Sequence, residues 1–264
     1  MNTGKTAAAG PRTRIATSTT HTIRVGGRDL INELIGEYSY TEMLYFLTCG
    51  TMPQSAQTRI LDACLVTLME HGLTPSAVIT RLMADSVPEE PQVAISAGLL
   101  AIGSVFAGTT EQCAHLLLDL EKRLAAGQNN ALRDVAQDHA RRKAPIPGFG
   151  HPTHKPDDPR SARLFKVAEQ VGVNSRYVAL LQRLSVEVDD AHGRHLTINA
   201  TGAIGALLLE IGVPASAMRC YSVVSRAGGL AGHLLEERRS PSARAIWNAS
   251  KAAVPYLEPG EEAT

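Results

Sequence analysis

Residues 147–160 read PGFGHPTHKPDDPR, and this stretch decides how the rest of the chain is interpreted. Its four prolines exclude a regular helix, and its two glycines allow another molecule to approach the backbone closely. Asp158 and Pro159 match the N-cap and first position of a helix, which places Arg160 in a first turn that attracts anions. The stretch predicts a binding loop. A proline-stiffened connection between helices, with solvated charges, is the alternative.

Apolar residues recur at helical spacing through most of this 264-residue chain. Three such stripes stand out: Ile60, Leu61, Cys64, Leu65 and Leu68; Leu116, Leu117, Leu120 and Leu124; and Ile204, Leu207, Leu208 and Ile211. Strand signals are scarce, because only HTIRVGG at 21–27 alternates, and it predicts a small hairpin or an extended arm. The pattern predicts an all-α fold of ten or more helices.

The charge balance argues against a polyanionic or membrane partner. Lys plus Arg and Asp plus Glu number 26 each, and no long basic run occurs, so we expect no nucleic acid and no membrane surface as partner. No apolar run approaches the roughly 18 residues of a membrane span, and the first residues lack the apolar core of a signal peptide. We therefore expect a cytoplasmic protein with a flexible tail at residues 1–12.

A histidine marks a second candidate site, in TLMEHGLTPSAVITRLM at 67–83. His71 is predicted to be the last residue of a helix before the C-cap Gly72, and Thr74 and Pro75 begin the next helix. A helix C-terminus favours an imidazolium and a facing N-terminus favours an anion, so this corner is able to hold an anionic ligand. A histidine that contacts only the carbonyls of its own helix is the alternative.

The loop at 147–160 resembles the signature of the citrate synthase superfamily, which runs Gly-aromatic-Gly-His, a short basic spacer and Asp-Pro-Arg. Three further segments are similar to family motifs and occur in family order: LVTLMEHGLTPSA at 65–77, LTINATGAIGALLLEIG at 196–212 and YSVVSRAGGLAGHLLEERRSP at 221–241. Two segments, HGLTPSA at 71–77 and GSVFAG at 103–108, are most similar to the sequences of short citryl-CoA lyases and of the citrate-synthase-like module of ATP-citrate lyase.

The resemblance implies a homodimer of citrate-synthase-like subunits. Each subunit would have a large helical domain at 13–108 and 203–256. A smaller helical domain at 109–202 would carry the coenzyme A loop, and a C-terminal tail would follow at 257–264. Small-molecule acyl-CoA and dicarboxylate ligands would bind where these parts meet.

The resemblance also implies a role for each candidate residue. His71 would bind the hydroxy-dicarboxylate moiety, and His151 would contact the substrate hydroxyl or carbonyl oxygen and assist loss of the hydroxyl proton. The carboxylates would be held by arginines, which offer paired N–H donors and keep their charge: Arg160, Arg226 and, from the partner subunit, Arg238 or Arg239. Coenzyme A would meet the backbone of the loop and one lysine: Pro147, Gly148, Phe149, Gly150 and Lys155.

Two positions depart from the family pattern. Citrate synthases have a histidine in the segment that reads Phe106-Ala107-Gly108-Thr109-Thr110 here, which disfavours the citrate-forming condensation. The family segment Asn-Val-Asp-Gly is Asn-Ala-Thr-Gly here, so Thr201 stands where the family has its acid/base aspartate. A threonine has no accessible pKa for proton transfer near neutrality. Asp189, Asp190, His192 or a water molecule would have to replace the aspartate.

Two functional hypotheses remain open. The first is a lyase that breaks a C–C bond in citryl-CoA or a related 3-hydroxy-3-carboxyacyl-CoA, with Thr201 beside the reacting carbon. The second is a binding module that keeps the ligand-recognition arginines and has lost the chemistry. A metal site at His151-x-x-His154 or His192-x-x-His195 is disfavoured, because Pro152 breaks the first pair and no further ligand follows at a standard interval. We therefore predict no metal.

Overall fold

The computed structural model describes residues 10–105, 108–173 and 175–260, and most of them are helical. The helices are α1 Tyr40–Cys49, α2 Ser55–Met69, α3 Pro75–Ser86, α4 Pro91–Leu99, α5 Thr109–Ala125, α6 Ala131–Arg141, α7 Pro159–Gln170, α8 Arg176–His192, α9 Ala200–Glu210, α10 Met218–Arg239 and α11 Ala243–Ala253. The prediction of ten or more helices is thus confirmed. None of the helices in the described ranges is both long and apolar enough to span a bilayer.

The described residues form two compact units, one ending at Thr58 and the other beginning at Arg59. The first contains a sheet of three antiparallel strands in chain order, β1 Ala16–Ser18, β2 Ile23–Val25 and β3 Arg28–Asp29, followed by a π-helical turn at Leu30–Leu34. Strand β2 lies within HTIRVGG, so the predicted hairpin is confirmed.

The predicted division into a large and a smaller domain does not coincide with these two units, and it stays a prediction. Residues 1–9 of the predicted N-terminal tail and 261–264 of the C-terminal tail lie outside the described residues. The same holds for Phe106 and Ala107, the first two residues of the segment in which the family histidine is missing.

Helix α9 lies in the core of the second unit, packed against α5, α7 and α8. Its sequence, ATGAIGALLLE, is apolar almost all round, as expected of a helix that is covered on every side. Large side chains that are fully buried line these contacts: Leu117, Leu120, Leu181, Leu184, Ile204, Leu207 and Leu208. Most of the stripe residues of α5 and α9 are therefore core residues, as predicted.

Glycines allow a second group of helices, α3, α4 and α10, to pack closely. A methyl group on Gly98 of α4 would collide with the side chain of Thr80 and lie 2.7 Å from the carbonyl oxygen of Ser76. A methyl group on Gly229 of α10 would collide with the carbonyl oxygen of Met69. Glycine has no side chain, so neither collision occurs. At Gly229 the backbone of α10 therefore lies directly against the C-terminal end of α2.

The loop at 147–150 lies on the N-terminal end of α9. The Gly150 N–H donates to the Thr197 carbonyl oxygen at 2.8 Å, and the Asn199 N–H donates to the Gly148 carbonyl oxygen at 3.0 Å. A Cβ atom on Gly202, in the first turn of α9, would lie 2.5 Å from that same Gly148 oxygen. The glycines at 148 and 202 therefore permit the close approach that holds the loop in place.

We expect Gly202→Ala to lower the free energy of unfolding by about 1–3 kcal/mol, because the added methyl group meets backbone that cannot rotate away. The matched control is Gly232→Ala in α10, where a Cβ atom has open space around it. This control should be neutral or stabilising by up to about 1 kcal/mol, since alanine is the better helix former. Chemical denaturation measures both variants, and equal effects would contradict the packing account.

Candidate active site

A cavity of about 470 Å³ lies where the 150–153 loop, the turn between α2 and α3, the N-terminal end of α9 and the middle of α10 meet. It brings together predicted site residues that are far apart in the sequence: His71, Gly150, His151, Arg160, Thr201 and Arg226. The other predicted site residues are not among the described lining residues: Pro147, Gly148, Phe149, Lys155, Arg238 and Arg239.

The loop residues outside the cavity include one that anchors the loop. Phe149 is buried and forms a β-bridge with Ile198, beneath the cavity-lining Gly150. At the end of α10, Arg238 donates to the carbonyl oxygen of Pro88 at 2.8 Å, whereas no such bond is found for Arg239 within the part of the chain that the structure describes. Contacts of this loop with coenzyme A, and of either arginine with a partner subunit, stay predictions.

Arg160 is held by a buried carboxylate that the sequence identified only as a helix N-cap. Asp158 is 1% exposed, and its oxygens accept from Arg160 Nε at 2.9 Å and from the terminal NH2 nitrogen at 2.7 Å. They also accept from the backbone N–H of Ala200, the first residue of α9. Burial acts to raise the pKa of Asp158, but the hydrogen bonds and the charge of Arg160, together with the Ala200 N–H, hold the pKa below its ordinary value. The guanidinium is therefore preorganised.

His71 lies beyond the end of its helix, which corrects the sequence prediction. Helix α2 ends at Met69, because the Glu70 carboxylate accepts the backbone N–H groups of His71 and Gly72 at 2.7 and 2.6 Å. His71 Nδ1 lies 3.4 Å from a terminal nitrogen of Arg160. Burial, followed by the charge of Arg160, lowers the pKa of His71, so the imidazole is neutral at pH 7.

His151 has a defined tautomer. Its Nδ1 accepts the backbone N–H groups of Thr153 and His154 at 3.1 and 3.0 Å, so in the neutral ring the proton is on Nε2. Burial, then the neighbouring His154 and Arg160, lowers the pKa of His151. Since Nε2 lies 3.4 Å from Arg160, two donors stand side by side. This geometry favours His151 as a hydrogen-bond donor over the predicted role in removing a hydroxyl proton.

Arg226 brings a second guanidinium to the cavity. One of its terminal nitrogens, NH1, is buried and has no hydrogen-bond partner among the described residues. Burial lowers the pKa of Arg226, as expected of a partly desolvated cation. The Arg226 side chain also lines the cavity, so its guanidinium is a candidate partner for a ligand anion. The arginines and His151 together form a donor-rich surface suited to carboxylates.

Thr201 stands where the family has its acid/base aspartate, and its hydroxyl already makes hydrogen bonds within the protein. Thr201 Oγ1 donates to Asn199 Oδ1 at 2.7 Å and accepts from Thr109 Oγ1 at 2.9 Å. No aspartate or glutamate is found among the described residues that line the cavity.

The predicted substitutes for that acid/base are likewise absent from the described lining: Asp189, Asp190 and His192. Asp189 instead contacts the imidazole of His195 at 2.6 Å and accepts the backbone N–H of Leu196 at 2.8 Å. His192 Nδ1 lies 2.9 Å from the carbonyl oxygen of Val188 in its own helix.

Three histidines form a cluster that sequence spacing did not reveal. Ring nitrogens of His71, His151 and His154 lie within 4.8 Å of one another, a grouping that is able to hold a metal ion. The Arg160 guanidinium, however, stands 3.4 Å from nitrogens of two of them, and it would repel a cation there. The cluster therefore favours an anion, and the expectation of no metal stays a prediction.

Relatives by sequence include citrate synthases. A citrate synthase from Synechocystis is 24% identical over 201 residues, which cover 75% of this chain and 49% of that protein. A putative citrate synthase 2 from Mycobacterium tuberculosis is 28% identical over 192 residues, covering 71% of this chain and 49% of the relative. The chain thus spans about half the length of the curated relatives it matches.

Similar solved structures include a citryl-CoA lyase from Hydrogenobacter thermophilus, with a TM-score of 0.82 and 26% identity, covering 96% of this chain and 97% of that one. An ATP citrate lyase from Methanothrix soehngenii, in complex with citrate and coenzyme A, has the same fold, with a TM-score of 0.79 at 18% identity over 97% of this chain and 43% of that one. The family model for the citrate synthase C-terminal domain matches residues 14–247. This chain therefore belongs to the citrate synthase family.

Proposed function

We propose that this protein binds a citrate-like acyl-CoA and cleaves its C–C bond, giving acetyl-CoA and an oxoacid, in the manner of a citryl-CoA lyase. The observation that carries the proposal is the cavity that Arg226 shares with Arg160 and His151, because two guanidiniums and an imidazole N–H are donors suited to carboxylates. Several carboxylates on one ligand would pair both guanidiniums at once. Similarity to the Hydrogenobacter citryl-CoA lyase over nearly the full length of both chains supports this choice within the family.

The chemistry that follows is the reverse of a Claisen-type condensation. The substrate hydroxyl loses its proton, the adjacent C–C bond breaks, and its electron pair enters the thioester as an enolate. The α-carbon of that enolate then takes a proton, which releases acetyl-CoA. Arg160 and Arg226 hold the carboxylates, and His151 Nε2–H donates to the oxygen that becomes the ketone of the oxoacid.

None of the described lining residues supplies a carboxylate for either proton transfer, the loss of the hydroxyl proton or the protonation of the enolate. Thr201 donates its only proton to Asn199, so it has none to deliver to the enolate. Water would serve as proton acceptor and donor in this site, and water is a poor substitute for a positioned acid/base. Slow turnover is therefore part of the proposal.

The same feature supports a second candidate function. A cavity that keeps its arginines and lacks an acid/base is suited to a non-catalytic homologue that binds a dicarboxylate or an acyl-CoA as a sensor or a partner subunit. Release of coenzyme A products from citryl-CoA distinguishes the two candidates.

Ligand-binding residues outside the cavity complete the proposal. Coenzyme A would meet the backbone of Pro147 to Gly150 together with Lys155, and a homodimer would supply one more arginine. Arg239 is the better candidate for that arginine, because Arg238 already donates to a carbonyl oxygen of its own chain.

Replacing Arg160 or Arg226 with lysine should weaken citrate binding by about 1–3 kcal/mol, because a point charge loses the paired N–H geometry. Isothermal titration calorimetry measures the loss. Arg183→Lys is the matched control, since Arg183 is exposed on α8 and outside the cavity, and its affinity should equal that of the native protein. Unchanged affinity in both cavity variants would contradict carboxylate binding at this site.

The histidine pKa values should respond to citrate. His71 and His151 should titrate below the ordinary value of about 6.5 in the free protein, because burial and nearby cations disfavour the imidazolium. A bound anion favours the imidazolium, so citrate should raise both pKa values. His195, whose pKa is raised by Asp189 and Asp157, is an internal reference that citrate should leave unchanged.

Nuclear magnetic resonance of the histidine Cε1–H signals measures these titrations. The signals of the two cavity residues are identified by their absence in His71→Gln and His151→Gln. A His151 signal that citrate does not move would argue against an anion beside this ring.

Restoring a carboxylate should raise the cleavage rate. We expect weak or absent citryl-CoA cleavage in the native protein and a rise of at least about tenfold in Thr201→Asp, because positioned acid/base groups contribute about 10²- to 10⁴-fold. Coenzyme A product detection at several pH values measures the rates. Thr201→Asn has nearly the same shape without the acid/base, and it should stay at the native level.

Native turnover at about 1 to 10³ per second would show that another group supplies the proton. An inert Thr201→Asp that still binds citrate would favour the binding-module alternative.

A further inference from the structure

Two threonine hydroxyls on the cavity wall, Thr109 and Thr201, have their orientation set by backbone groups. The Gly150 carbonyl can only accept, so it receives Asn199 Nδ2–H at 2.9 Å. The Gly202 N–H can only donate, so at 3.0 Å it faces Asn199 Oδ1. These two contacts determine which way the Asn199 amide points.

The rest of the chain of hydrogen bonds then has one direction. Thr201 must donate to Asn199 Oδ1, at 2.7 Å, and Thr109 must in turn donate to Thr201, at 2.9 Å. Each hydroxyl has a single proton, and both protons are used within the protein. The hydroxyls of Thr109 and Thr201, two residues that line the cavity, therefore have lone pairs and no free proton left for a ligand.

Other residues that line the cavity are hydrogen-bond donors. The guanidiniums of Arg160 and Arg226 have N–H donors and no acceptor, and the His151 Nε2 atom carries a proton. A ligand that fills the cavity would thus meet donors from the arginines and His151 and acceptors from the two threonines. Carboxylates match the donors, but a plain methyl or methylene group offers no hydrogen bond to the threonine oxygens.

We infer that Thr109 and Thr201 select an acyl group that carries a hydrogen-bond donor, a hydroxyl or an amide N–H, on the carbon next to the thioester. The inference rests on the proposed function, which places the α-carbon of the acyl-CoA beside Thr201. A citrate-like acyl-CoA with a hydroxyl or N–H group on its α-carbon would then be preferred to citryl-CoA. Cleavage would release a hydroxyacyl- or aminoacyl-type thioester.

A pair of thioesters that differ by one hydroxyl tests this inference by binding alone. Acetyl-CoA and hydroxyacetyl-CoA are titrated by calorimetry into the native protein in the presence of citrate. We expect hydroxyacetyl-CoA to bind about three- to tenfold more tightly, the effect of one added net hydrogen bond. Because no bond is broken in this assay, the result does not depend on catalysis.

Valine variants, which keep the shape of threonine, locate the effect. Thr109→Val removes an acceptor and should reduce the preference for hydroxyacetyl-CoA. Thr201→Val also deprives the Thr109 proton of its acceptor, which frees it to face the cavity, so the preference should vanish or reverse. Thr110→Val is the matched control: Thr110 is fully buried, does not line the cavity and should leave the preference unchanged. Thermal melting verifies that each variant is folded.

The outcomes separate this inference from the proposed function. Equal binding of both thioesters by the native protein, or an unchanged preference in Thr201→Val, overturns the inference and leaves carboxylate and coenzyme A binding intact. Failure of both thioesters to bind overturns the inference together with the coenzyme A part of the proposed function. A hydroxyl preference in a protein that does not cleave citryl-CoA supports the inference and excludes citryl-CoA as its substrate.

Discussion

The carboxylate of Asp158 is the interaction on which the site depends. It caps α7 through the Arg160 N–H, contacts the first backbone N–H of α9, and holds the Arg160 guanidinium through two further bonds. Two helix N-termini and one cavity-lining cation thus share a single buried anion. Charge-assisted hydrogen bonds of this kind are strong and directional, and removal of one partner would leave the others buried and unpaired.

In our proposal, the cavity beside that carboxylate binds other anions. Asp158 lies behind Arg160, 1% exposed, so its charge is already used within the protein. The surface toward the cavity keeps the N–H groups of two guanidiniums and the Nε2–H of His151, and both cavity histidines are held neutral. Fixed donors of this type cost little reorganisation when a ligand binds, because the folded chain has already positioned them.

Similarity to known proteins identifies the family of this chain, whereas the cavity residues bear on which reaction it performs. The sequence relatives include citrate synthases, and the chain covers about half of their length, whereas the Hydrogenobacter citryl-CoA lyase matches in fold over 97% of its own length. Two of the arginines that bind carboxylates in our proposal, Arg160 and Arg226, line one cavity. The hydroxyl of Thr201, engaged by Thr109 and Asn199, makes this cavity different in chemistry from an acid/base site.

Helical spacing and the family motifs in the sequence predicted the fold and the family, and both are confirmed, whereas the binding role of the 147–160 loop stays a prediction. The apolar period predicted buried faces on α5 and α9, and Asp158-Pro159 predicted a capped helix start that the structure confirms. The directions of the hydrogen bonds in the cavity, in contrast, follow from the tertiary structure. The tautomer of His151, the unpaired nitrogen of Arg226 and the orientation of Thr201 depend on partners distant in sequence or on loop geometry that residue order does not specify.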